Sequence, residues 1–244
     1  MSLITQKVVL ILGANSDVAK EVIKIYVRQG YKVIAASRSI KQLQEFAQIN
    51  NIPENNIDIC YFDAADFESH LPFYNSLQQK PNIVLYAAGF LKDNEAALLD
   101  WEGSFQMMKV HYCGAVSILN IVAMDASNKG LERIIGLSSL SGVRGRKSNF
   151  IYGSTKSAFT QYLAGMRQYL FKRNIAVNVV VAGYIRSKMT AGLNLEESLM
   201  LEPEFIAKAI VPESKSFIIV PGLKWKMIYH ILRLLPETLV AKLP

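Results

Sequence analysis

What most restricts the fold of this chain is a recurring unit: a short run of β-branched and aliphatic residues, a glycine or polar turn, then apolar residues at helical spacing. Residues 7–12 (KVVLIL) form the first run, continuous rather than alternating, as in a strand buried on both faces. Gly13 ends it, Asn15, Ser16 and Asp17 supply turn and N-cap side chains, and Val18, Val22, Ile23, Tyr26 and Val27 follow at helical spacing. Residues 32–36 are the next strand, so the chain opens with a βαβ crossover. The unit then repeats, with helices over 40–48, a short stretch after Asp66, 96–126 and 149–173. Strands are read at 57–62, 83–86, 133–137, 176–181 and 216–220. The pattern predicts an α/β fold: a single-domain, Rossmann-type, doubly wound parallel sheet of about seven strands with helices on both faces. It covers residues 1–222, and residues 223–244 form a C-terminal amphipathic helical extension.

Composition supports a folded core and narrows the partners. Hydrophobic residues make up 51% of the 244-residue chain and charged ones 19%, which excludes a disordered protein. The net charge of +7 is spread out except at Arg144, Arg146, Lys147 and the tail. It suits anionic ligands or an acidic membrane surface; no nucleic-acid motif accompanies it, and nucleic acid is not an expected partner. Cys60 and Cys113 have no metal-ligand spacing, so reduced thiols, a cytoplasmic setting and no metal are expected. The first residues lack a signal-type apolar region, and no window approaches the ~18 apolar residues of a membrane span.

In doubly wound sheets ligands bind beyond the carboxyl ends of the strands. Gly13, Arg38, Asp63, Gly89, Ser139 and Gly183 all fall there. The segment 133–156 also carries Tyr152 four residues ahead of Lys156, which on a helix puts phenol and ammonium on one face. A neighbouring cation lowers a tyrosine from its usual value near ~10 toward working pH, where it becomes an efficient acid. Ser139 is placed to hydrogen-bond the same reacting oxygen. Taken alone, the pair also fits an ordinary amphipathic helix.

With these positions in order, the chain resembles the short-chain dehydrogenase/reductase family to about residue 222. The family's TGxxxGxG turn corresponds to residues 12–19, its adenine-side Asp to Asp63 and its NNAG motif to Tyr86-Ala87-Ala88-Gly89. Its catalytic serine corresponds to Ser139, its YxxxK pair to Tyr152 and Lys156, and its PG motif with a downstream hydroxyl to Ala182-Gly183 and Ser187. The resemblance implies an oxidoreductase that transfers hydride between a nicotinamide and a small-molecule carbonyl or alcohol. Tyr152 would be the acid, Lys156 the residue that lowers its pKa and binds the nicotinamide ribose, and Ser139 the residue that orients the carbonyl. It implies a cofactor set of Gly13, Asn15, Ser16, Asp17, Val18, Ser37, Arg38, Asp63, Ala64, Ala87, Ala88, Gly89, Tyr152, Lys156, Gly183, Ile185 and Ser187. It also implies a homo-oligomer, dimer or tetramer.

Several positions depart from the family pattern. Asp17 and Ala19 replace two turn glycines, leaving helix N-terminal amides and the Asn15 and Ser16 side chains to hold a pyrophosphate. His111 and Gly114 form HxxG where the family has NxxG, so His111 either joins the proton relay or is a satisfied core histidine. The second strand ends Ala36-Ser37-Arg38 instead of in an acid. A guanidinium there suits a 2'-phosphate and favours NADPH over NADH, unless Arg38 is merely solvated.

In the tail, Trp225, Ile228, Leu232, Leu235 and Leu239 make an apolar stripe beside Lys224, Lys226, Arg233 and Lys242. The stripe either lies peripherally on a membrane, placing the protein at its inner face, or packs across the subunit or a partner subunit. Membrane-associated members that reduce the 2-keto group of decaprenyl-phosphoryl sugars end similarly. Residues 188–201, the family's variable lid, carry Met189, Leu193, Leu195, Leu199 and Met200, which favours an apolar or lipid-linked ketone over a highly charged one. Two other readings remain: a cofactor-binding protein of this fold without turnover, and a membrane-surface scaffold.

Overall fold

The computed structural model describes residues 6–242; the signal-region reading at residues 1–5 and the chain end at 243–244 lie outside the described residues. Strands β1 (Val8–Leu12), β2 (Lys32–Ser37), β3 (Ile57–Tyr61), β4 (Ile83–Tyr86), β5 (Arg133–Ser139), β6 (Ala176–Ala182) and β7 (Ile218–Ile219) form one seven-stranded sheet. All pairings are parallel, in the order β3-β2-β1-β4-β5-β6-β7. This is the doubly wound α/β sheet expected from the alternation, and its order reverses between β1 and β4, where such sheets bind ligands.

Helices α1 (Asp17–Arg28), α2 (Ile40–Ile49), α3 (His70–Ser76), α4 (Asn94–Leu99), α5 (Trp101–Met108), α6 (Gly114–Met124), α7 (Phe150–Leu170), α8 (Pro203–Ile210), α9 (Leu223–Leu234) and α10 (Glu237–Val240) cover the sheet. Successive β1 residues feed opposite cores. Val9 and Ile11 pack with Val18, Val22 and Ile23 of α1 and Ile206 and Ile210 of α8. Leu10 and Leu12 pack with Ile118 and Leu119 of α6, Phe159 and Leu163 of α7, and Trp225 and Tyr229 of α9. Burial on both sides is why β1 carries no polar residue.

The long helix expected over 96–126 is broken. Asp100 is extended and accepts the Gly103 N–H, so it caps α5 and separates it from α4. A π-helical turn over Lys109–Cys113 then joins α5 to α6. The continuous helical stretch Trp101–Met124 contains an 18-residue window of mean hydropathy 1.3 and is, by length and composition only, apolar enough to cross a membrane, contrary to the expectation from the sequence. Here Ala115, Ile118, Leu119 and Val122 of α6 are fully buried, and α6 serves as a core helix. Helix α8 has no counterpart among the elements expected from the sequence, and the seventh strand, at the sheet edge, pairs with β6 over two residues rather than five.

The tail packs on the domain. Trp225, Tyr229 and Leu232 are buried, whereas Leu239 of the expected stripe is half exposed. A side chain on Gly183 would lie 2.0 Å from the Trp225 ring, so the absence of one lets the indole close against the loop after β6. The Trp225 indole N–H donates to the Leu199 carbonyl at 2.8 Å, and Arg144 donates to the carbonyls of Leu232, Arg233 and Leu235 and pairs with Glu237. Intramolecular packing thus accounts for the inner face of α9, while Leu223, Met227, Ile231 and Leu234 form a separate exposed face. Trp225→Ala should cost about 3–5 kcal/mol of unfolding free energy. Denaturant titration at constant m-value checks it, and a loss under about 1 kcal/mol would mean the tail is not part of the fold.

Candidate active site

Beyond the carboxyl ends of the strands lies a cavity of about 930 Å³. Its first end is built by the turn after β1. The N–H groups of Gly13 and Ala14 both donate to the Ala36 carbonyl, at 2.9 and 3.0 Å, folding the turn across β2. Gly13 has φ +85°, and a side chain there would lie 2.4 Å from the Ala88 backbone. Both facts exclude other residues. The turn leads into the N-terminus of α1, where unpaired backbone N–H groups favour an anion.

Asn15, one of the side chains expected to face a pyrophosphate, instead donates to the Ser37 hydroxyl at 2.9 Å and to the Ser39 carbonyl at 2.8 Å. It therefore fixes the end of β2 and leaves the Ser37 hydrogen free. The Asp17 carboxylate accepts the Lys188 N–H at 2.8 Å, tying α1 to the lid and partly compensating a charge that would repel phosphate. Arg38 is exposed at the cavity rim. The Asp63 carboxylate accepts from the Ala65 N–H at 2.9 Å, and the His70 ring donates to the Asp63 carbonyl at 2.9 Å.

The other end holds Ser139, Tyr152 and Lys156. The Lys156 ammonium donates to the Leu137 carbonyl at 3.2 Å and lies 5.8 Å from the centre of the Tyr152 ring. Burial brings Lys156 down to about 8. Burial likewise pushes the Tyr152 phenol up to about 12, opposed by its hydrogen bond with Ser139. Against the expectation that the lysine lowers the tyrosine, burial is here the larger influence and shifts the phenol the other way, favouring its neutral form.

His111 is fully buried and does not line the cavity. Its Nε2 accepts the Phe90 N–H at 3.0 Å, which leaves Nδ1 to donate to the Thr155 hydroxyl at 2.7 Å; Thr155 in turn donates to the Tyr152 carbonyl. Burial, then the charge of Lys156, hold it well below the usual histidine value. Of the two readings of His111, the geometry matches the satisfied core histidine rather than the relay: both nitrogens are occupied, Nε2 as an acceptor, and the ring ties the helix carrying Tyr152 to the loop after β4. The π turn sets this up. The Gly114 N–H donates to the Lys109 carbonyl, while the buried Tyr86 hydroxyl donates to the Val110 carbonyl at 2.5 Å. Gly114 is needed because a side chain would lie 2.0 Å from the Ala64 carbonyl.

Apart from His111, every residue of the expected catalytic and cofactor set lines the cavity. Sequence reasoning missed Asn94, Ser141, Arg146, Asn149 and Tyr184, which also line it. The arginine pair in the loop before Tyr152 was the available signal, but spacing does not say which arginine turns inward. The residues present fit a dinucleotide: a turn opened by Gly13 at a helix N-terminus, a hydroxyl and a guanidinium after β2, and a lysine at the far end.

Fold and site together define a dinucleotide-binding α/β protein with a serine, a tyrosine and a lysine at the inner end of its cleft. The short chain dehydrogenase family model matches residues 7–198, and the chain belongs to that family. An uncharacterized oxidoreductase of Staphylococcus epidermidis is 25% identical over 221 residues, 86% of this chain and 92% of that protein. One from Mycobacterium tuberculosis is 24% identical over 241 residues, 97% of this chain and 96% of its own length. Among solved structures, a short chain dehydrogenase from Burkholderia cenocepacia in complex with NADP superposes with a TM-score of 0.83 at 17% identity, covering 98% of each chain. ElxO with NADP bound gives 0.81 at 20% identity over 91% of this chain and 100% of that one.

The lowered Lys156 value has a consequence for stability that needs no substrate. Because its folded value lies below the unfolded one, the native state binds fewer protons between the two, and stability rises with pH there. Below about 8 the ammonium is buried at a cost on the order of 3 kcal/mol. Lys156→Met should therefore be the more stable protein near pH ~7 and lose that advantage toward pH ~10, read by denaturant titration at both. An advantage independent of pH would contradict the shift.

Proposed function

We propose that the protein is an NADPH-dependent carbonyl reductase. The observation that carries this reading is the placement of Ser139, Tyr152 and Lys156 at one end of a cavity whose other end is the Gly13 turn and the α1 N-terminus. Support for the phosphorylated cofactor comes from Arg38 at the rim, the absence of an acid at the end of β2, and the NADP reported in two proteins of the same fold.

Bound NADPH supplies the hydride to the carbonyl carbon. The Tyr152 hydroxyl donates its proton to the carbonyl oxygen, so the ketone gains one hydride and one proton and leaves as the alcohol. Ser139 hydrogen-bonds the same oxygen, and Lys156 stabilises the phenolate left on Tyr152 until solvent reprotonates it. Gly183 and Ile185 border the cleft on the β6 side, and the lid from Met189 to Leu195 covers it.

Tyr152→Phe removes the proton donor without the ring. Its carbonyl-dependent NADPH oxidation should fall about 10²–10⁴-fold while NADPH affinity, followed by fluorescence, holds. Turnover equal to the parent would sink the mechanism; a parent that binds NADPH and oxidises none across sterol, retinoid, fatty-acyl and keto-sugar carbonyls would instead mark a cofactor-binding protein without catalysis.

A further inference from the structure

The loop before Tyr152 carries three cations, and the structure puts them to three uses. Arg144 is committed to the end of α9 and to Glu237. Lys147 is exposed, and only its carbonyl is engaged, by Asn94. Arg146 alone turns into the cavity. Its Nη2 donates to the Ser141 hydroxyl at 3.3 Å, and the Ser141 N–H donates to the Ser139 hydroxyl at 3.2 Å. The guanidinium is thus two hydrogen bonds from the catalytic serine, at the opposite end of the cleft from Gly13 and Arg38.

Its bonding is incomplete. The Arg146 Nε is shielded from solvent and has no acceptor, and among the described residues no carboxylate pairs with the side chain. Native proteins seldom leave a buried N–H in that state, and a guanidinium offers five donors in a planar fork. Ser141 accepts from both Arg146 and Asn149, so its own hydrogen is also free to be donated. The Asn149 Oδ1 is unpartnered too; turning the amide end for end presents an N–H there and gives Ser141 an acceptor, so the residue adapts to an incoming anion. Beyond this polar corner, Met189, Leu193 and Leu195 of the lid line the cavity with apolar surface.

The geometry points to a substrate that carries an anionic group, carboxylate or phosphate, on an otherwise apolar body, with Arg146 holding the anion beside the reacting carbonyl. This rests on the reductase reading and sharpens the expectation that a highly charged substrate is disfavoured: a single charge is matched at one corner, beside the apolar surface of the lid.

Binding tests it without turnover. Octanoate, octyl phosphate and octanol are titrated by calorimetry against the NADPH-loaded protein and its Arg146→Met and Arg146→Lys variants. At least one anion should bind about tenfold or more tighter than octanol, lose that margin in Arg146→Met and keep part of it in Arg146→Lys, the better anion identifying the source. Anions that bind no better than octanol, or equally to Arg146→Met, overturn the proposal. If Arg146-dependent binding holds while no oxo acid or oxo phosphate is reduced, the anion site stands and the reductase reading fails. Neutral ketones reduced equally by parent and Arg146→Met, with no anion preference, mean the opposite: the reductase reading stands and the anion site fails.

Discussion

Lys156 is a buried cation with a backbone carbonyl for company and no counter-ion among its hydrogen bonds. A charge in that position is costly, and its lowered value is the measure of the cost. Such a group is tolerated where the surroundings fix it and a ligand completes it. The fixing is visible: Leu137 presents its carbonyl at the end of β5 and α7 presents the lysine, while Gly89 lies close against the His111 ring, which a side chain there would approach to 3.2 Å. The same desolvation favours the neutral form of Tyr152. One buried environment therefore raises the phenol and lowers the lysine, whose charge gains most from a polar partner.

Around that pair, the structure is a chain of dependences. Tyr86 donates to the Val110 carbonyl; the helix widens into a π turn; His111 swings in to tie Phe90 to Thr155, and so the β4 loop to the helix bearing Tyr152 and Lys156. π turns inside α-helices are often found at functional sites, and this one replaces a conformationally simple helix by a fixed contact. On the other flank, α9 closes on Gly183, and Trp225 and Lys224 donate to the carbonyls of Leu199 and Ser198 at the exit of the lid. The tail, a separate extension by sequence pattern, thus braces the loop after β6 and the end of the lid from behind.

The sheet and the strand-end residues were legible in the sequence because they depend on periodicity: continuous apolar runs, glycine at the turn, and spacing that returns a polar residue to the same edge. Contacts made across elements were not. The environment of His111 follows from Tyr86, twenty-five residues earlier, bonding a carbonyl that a regular helix would have used itself. Asn15 turns to Ser37 and Ser39, and Asp17 to the lid, because β2 and residue 188 arrive where no local pattern records them. Helix α8 is eight residues long, and its proline at the first turn directly follows the lid, where a short apolar pattern does not separate helix from loop. Arg144 and Arg146 are two residues apart, and only the packed α9 shows which of them is free for the cavity.

That burial rather than the neighbouring cation decides the state of Tyr152 is the claim on which the chemistry turns. Ultraviolet difference titration of the parent protein against Tyr152→Phe isolates this one phenol. Ionisation should appear only as pH approaches about 12. A tyrosinate signal already present near pH ~7, well under the ordinary tyrosine value of ~10, would show that the lysine controls it instead.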